Sequence, residues 1–120
     1  MAAEMEIELI GVTPKSFLGI ALLVAIEFGW SIESITEDEI SFGIKSMMPG
    51  AAELLSIKIV GNMAMLKNKS LSILSSFNLL SNSKNISKFT QAYAKKIDLN
   101  KVEEFENRFE KALELWDNKQ

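Results

Sequence analysis

Two sets of side chains are candidates for catalysis: Ser81 with Lys84, and the carboxylates Glu27, Glu33, Glu37, Asp38 and Glu39. The 120 residues contain no histidine and no cysteine, so the commonest neutral-pH base, the thiol nucleophile and the usual transition-metal ligands are absent. A serine nucleophile would then depend on a lysine base, and Ser81-Asn82-Ser83-Lys84 has the Ser-x-x-Lys spacing. A lysine with an ordinary pKa of about 10.4 accepts no proton at neutral pH. Serine and lysine at a helix start serve equally as cap and solubilising charge, and that is the reading adopted. A carboxylate pair needs two environments that separate the pKa values. Glu37, Asp38 and Glu39 instead fall in an acidic turn where water solvates each charge. Glu27 ends an apolar run just before Gly29, where a helix dipole disfavours a negative charge, so exposure or pairing with a lysine is expected. The six glycines form no phosphate-binding loop. No catalytic residue, metal or cofactor is assigned, and the chain reads as a protein that is not an enzyme.

Charge narrows the partners. Over residues 1–40 eight acids against Lys15 give −7, over 41–100 eight lysines against Glu53 and Asp98 give +6, and the last twenty residues give −2. Such sorting either steers an anionic partner to the middle segment or is neutralised inside the fold, the second being the plainer expectation. The chain has one arginine, Arg108, and a net charge of −3, which weighs against nucleic acid; association with a membrane surface is not favoured. Met47-Met48 and Met63-x-Met65 are core fillers first and adaptable contacts second. The absence of cysteine suits a reducing compartment, and a cytoplasmic location is expected.

Positioning comes from the periodicity. With 48% hydrophobic residues, the sequence can bury one core, so residues 1–120 are read as a single domain. Met5, Ile7 and Leu9 alternate with Glu4, Glu6 and Glu8, as in a half-buried strand or an acidic tail. Thr13-Pro14 starts a helix and Gly29 stops it. Between them Phe17 to Ile26 is apolar on every face, bracketed by Lys15 and Glu27, too short to span a membrane, and not preceded by the basic residues of a secretion signal. Such a helix must be covered on several sides, by a sheet and by either the C-terminal helix or a second copy.

Four alternating segments follow: Trp30 to Ser34, Ile40 to Lys45, a strand carrying Leu55, Ile57 and Ile59, and Met63 to Asn68. Met48-Pro49-Gly50 and Gly61-Asn62 are turns, the second of type II′. After a serine-rich stretch, Ile86, Phe89, Thr90, Tyr93, Ala94 and Ile97 stripe one helix. Val102, Phe105, Phe109, Leu113 and Trp116 stripe another, with Asn100 and Glu103 at capping-box spacing. The expected fold is α+β: an N-terminal helix, an antiparallel sheet of about four strands, and two C-terminal helices packed on the sheet. Residues 99–117 either belong to that packed pair or form a helix that extends from the body to meet a partner.

Gly29-Trp30-Ser31-Ile32, the Gly61-Asn62 hairpin and Ser83-Lys84-Asn85-Ile86-Ser87-Lys88-Phe89 together resemble an uncharacterised α+β domain of bacterial Bacteroidetes proteins, over residues 14–97. Leu79-Leu80 departs from it, standing where a Trp-Gly pair is expected. The resemblance implies a fold and brings no catalytic residues. The functional expectation is a noncatalytic protein-interaction or scaffold domain that forms a homodimer or binds another protein. Its interface would comprise Phe17, Leu18, Leu22, Ile26, Phe109, Leu113 and Trp116. The alternative is a carrier or sensor with an apolar pocket between sheet and helices.

Overall fold

Alternation at the start of the chain becomes a strand. In a computed structural model, which describes residues 2–45, 52–70 and 79–119, β1 (Ala2–Glu8) hydrogen-bonds antiparallel to β5 (Met63–Ser70), from Ala2 opposite Lys69 to Glu8 opposite Met63. The remaining strands are β2 (Ser31–Ile35), β3 (Glu39–Lys45) and β4 (Ala52–Val60), and the antiparallel sheet runs β1-β5-β4-β3-β2. The expectation of an N-terminal helix and about four strands is therefore corrected. A strand opens the fold, the sheet has five strands, and the first helix lies between β1 and β2. The physical reason is that Met5 and Ile7 find an apolar row to extend, Leu66–Ile57–Ile40–Ile35 and Ala64–Ile59, while Glu4 faces Lys67 on the other side of the sheet.

Helix α1 (Pro14–Phe28) starts and stops where the chemistry of its ends requires. Thr13 is the N-cap, Pro14 is the first helical residue, and Gly29 closes the helix at φ 71°. Ser16 completes a reciprocal cap: its N–H donates to Thr13 Oγ1 at 3.2 Å, and the Thr13 N–H donates to Ser16 Oγ at 2.9 Å. The Thr13 hydroxyl also donates to Glu106. Thr13→Ala removes both the cap and this tie, and should cost about 1–2 kcal/mol in urea unfolding.

Helix α2 (Leu79–Lys96) covers β1, β4 and β5. Ile86, Phe89 and Ala92 are buried along it; Ala92 takes the place expected of Ala94, which is exposed. Helix α3 (Val102–Lys119) follows a single 3-10 turn whose cap is Asp98, not Asn100: the Asn100 N–H donates to Asp98 Oδ1 at 2.9 Å. It does not join α2 on the sheet as expected but packs against α1, forming a third layer. The reason is Gly19. A Cβ there would stand 2.0 Å from the carbonyl oxygen of Phe105, so only glycine lets the two backbones approach this closely. Phe105 and Phe109 then bury against α1. From Phe17 to Ala25 the apolar helix is thus wrapped by the sheet, α2 and α3 of the same chain, and Ile26 stays open.

The two-residue Gly61-Asn62 turn joins β4 to β5 with Gly61 at φ 61° and no positive φ at Asn62, as type II′ requires. Tyr93, the sole tyrosine, packs its ring 4.8 Å from that of Phe17, and burial raises the phenol pKa above the usual 10.0. Folding favours the protonated phenol, so its contribution is complete below pH 10 and is lost as pH rises through the higher folded value. Ultraviolet titration should show phenolate forming later in folded than in urea-unfolded protein. Among the described residues, no helix is long and apolar enough to cross a membrane.

Candidate binding site

The sheet ends at β2, and there the helical layers leave it partly uncovered. Ile32 points to the helical side, level with Phe42, but α3 is held over α1 and does not close down on the strand. The result is a groove of about 550 Å³. Its walls are Leu22, Ala25 and Ile26 from the end of α1, Trp30 and Ile32 from the start of β2, and Ala112 and Leu115 from α3. Glu104, Asn107, Arg108 and Lys111 of α3 complete the lining. Three apolar side chains here are strongly exposed: Ile26 at 69%, Leu115 at 56% and Ile32 at 38%. Trp30 is fixed between Phe28 and Phe42, with ring centroids 5.2 and 6.1 Å away. A groove of this size, mostly apolar with a few polar groups, suits a small ligand.

The expected interface residues separate. Phe17, Leu18, Leu22 and Phe109 are buried within the chain, Leu113 and Trp116 are half-buried against its core, and Ile26 is open to solvent. Leu22 and Ile26 alone reach the groove. Sequence reasoning missed Trp30, Ile32, Arg108, Lys111 and Leu115 as partners. A trace existed, since Glu104, Arg108, Lys111 and Leu115 follow helical spacing and Leu115 is an apolar residue in an otherwise polar stripe.

The candidates for chemistry are not brought together. Lys84 is exposed near the start of α2, and the side chain of Ser81, like Met47, Met48, the Met48-Pro49-Gly50 turn and residues 71–78, lies outside the described residues. Glu27 accepts from Lys96 Nζ at 2.7 Å, the lysine partner its position called for. Glu33 is the extra residue of a bulge in β2, where its Oε1 accepts from Ser31 Oγ at 3.2 Å above Gly43. Glu37 and Asp38 are exposed in the β2–β3 turn. Met63 and Met65 are half-buried on the uncovered sheet face. No group of three or more carboxylates that could hold a metal occurs among the described residues.

The sorted charges pair across the fold. Glu4 meets Lys67 at 3.6 Å, Glu27 meets Lys96, and Lys15 meets Glu110 at 2.7 Å. The hydrogen bond that Lys15 Nζ donates to Glu110 Oε1 raises the lysine's pKa. A hollow of about 540 Å³ beside the groove balances Lys95, Lys96 and Lys101 against Glu27, Asp98 and Glu104. Another, about 590 Å³ on the open sheet face, sets Lys58 and Lys67 among Glu4, Glu6 and Glu39. In both, charges of opposite sign are interleaved, without the one-sided excess of cations found in the groove.

One acid is buried among the inward-facing residues of β4. Glu53 of β4 sits on the helical side at 2% exposure, and its Oε2 accepts from Asn85 Nδ2 of α2 at 2.9 Å. This buried contact ties helix to sheet. Comparisons with protein-family models, curated proteins and solved structures find no match to the chain.

Proposed function

We propose that the protein is a noncatalytic binding domain that carries or senses a small, largely apolar molecule in the groove between α1, β2 and α3. The observation that supports this reading is the convergence of exposed Ile26, Ile32 and Leu115 from three different elements on one groove beside Trp30. Exposed apolar side chains scattered singly need no explanation, whereas a contiguous set marks a contact site. Nile red, a neutral apolar dye, should bind with enhanced emission. Leu115→Gln and Ile26→Gln should each weaken binding about threefold to tenfold, as loss of one or two buried methylenes would. Both positions face solvent, so the fold is expected to survive. Absence of dye binding, or binding indifferent to both substitutions, overturns the reading.

A second reading is the protein-interaction domain, with the same exposed apolar groups meeting a second copy or another protein. The burial of α1 within one chain meets the need for cover that suggested a dimer. Light scattering over a concentration series distinguishes them: the ligand reading expects a monomer, and a dimer dissociated by Leu115→Gln assigns the groove to a second copy.

A further inference from the structure

We infer that the groove selects an anion, a straight-chain carboxylate whose alkyl part lies along Ile26, Ile32 and Leu115 and whose head group is held by Arg108 and Lys111. This rests on the reading of the groove as a ligand site and adds the sign of the ligand's charge.

Arg108 is the chain's only arginine, and Lys111 lies three residues further along α3 on the same face. Both are exposed and both line the groove. Among the described residues the ion pairs are Lys15–Glu110, Lys67–Glu4 and Lys96–Glu27, so neither groove cation stands within 4.0 Å of a carboxylate. Glu104 is the one acid among the described residues of the lining, and it also lines the neighbouring hollow together with Lys95, Lys96 and Lys101. The groove therefore presents two cations against one shared acid, above an apolar wall. A guanidinium fork offers two parallel N–H donors to a carboxylate, and the ammonium adds a third donor. An amphiphile with one anionic end matches both parts.

The same charges disfavour a second copy as occupant. Two α3 helices packed antiparallel with Leu115 of one over Glu104 of the other, the register centred on this stripe, would set Arg108 of one against Lys111 of the other. An alkylammonium would meet the same repulsion.

Isothermal titration calorimetry of the full chain with dodecanoate and dodecyltrimethylammonium, each below its micelle concentration, and dodecan-1-ol, below its solubility limit, separates the possibilities. Dodecanoate is expected to bind about tenfold or more tightly than the alcohol, with the ammonium weakest. Arg108→Gln and Lys111→Gln should each reduce dodecanoate affinity several-fold and narrow its advantage over the alcohol, and added salt should weaken dodecanoate alone. Leu115→Gln should weaken dodecanoate and alcohol alike. Equal binding of the alcohol and dodecanoate, tighter binding of the ammonium, or indifference to Arg108→Gln and Lys111→Gln overturns this inference and leaves an apolar-ligand groove standing. Binding of none of the three overturns both.

Discussion

Gly19→Ala is expected to destabilise the protein by about 3 kcal/mol, and the sign is the informative part. In an ordinary helix interior, alanine in place of glycine stabilises by about 1 kcal/mol. Here the new methyl would lie 2.0 Å from the carbonyl oxygen of Phe105 and 2.7 Å from its carbon. These are backbone atoms, so no rotamer change relieves the overlap, and α3 must move off α1. That displacement loosens Phe105 and Phe109, which are buried at the contact. Gly29→Ala is the control: its cost comes from φ 71° alone, since nothing lies within 4 Å of the added methyl, and about 1–2 kcal/mol is expected. Urea unfolding followed by circular dichroism should rank Gly19→Ala as the more damaging, reversing the order that helix propensity gives. Amide exchange should show the loss of protection concentrated in α3. Stabilisation by Gly19→Ala would mean that the helices do not cross there.

The second large effect is at Glu53. Glu53→Ala is expected to cost about 3 kcal/mol, because it removes a buried carboxylate and strands the Asn85 amide that donates to it at 2.9 Å. Glu53→Gln keeps a carbonyl oxygen for Asn85 Nδ2 and should cost about 1 kcal/mol. Asn85→Ala leaves the acid in place without that donor and should approach the cost of Glu53→Ala. The double substitution is expected to cost about 1.5–3 kcal/mol less than the two single changes added together, a coupling that chemical denaturation measures directly. A coupling near zero would show that the hydrogen bond does not hold α2 to β4.

The parts of the fold legible in the sequence are those in which local chemistry and tertiary packing ask for the same thing. Thr13, Pro14 and Gly29 bound α1 in the sequence and in the fold. Ile40, Phe42, Ile44, Leu55, Ile57, Ala64 and Leu66 all face inward as their alternation requires. Illegible were the features decided by distant partners. The acidic alternation of β1 was compatible with a tail until Lys67 and the apolar edge of β5 were placed beside it. Gly19 carried no local sign that it marks a helix crossing, because its neighbours are apolar on every face. Glu53 follows the inward phase of Leu55 and Ile57, but its type gives no indication of an amide waiting on α2. The groove is legible only in fragments: Ile26 and Leu22 belonged to an apolar helix, whereas Arg108 and Leu115 join them through the path of α3.

The placement of β1 also sets the order in which the molecule can be made. Its pairing partner lies some sixty positions downstream, at Met63 to Lys69, while α1 carries the chain across to the far edge at β2. During synthesis the earliest segment of the domain must wait, unpaired, until β5 has left the ribosome. Closure of that long span makes assembly slower than for a meander of neighbours. The last edge of the sheet to close is therefore the domain's first strand, β1.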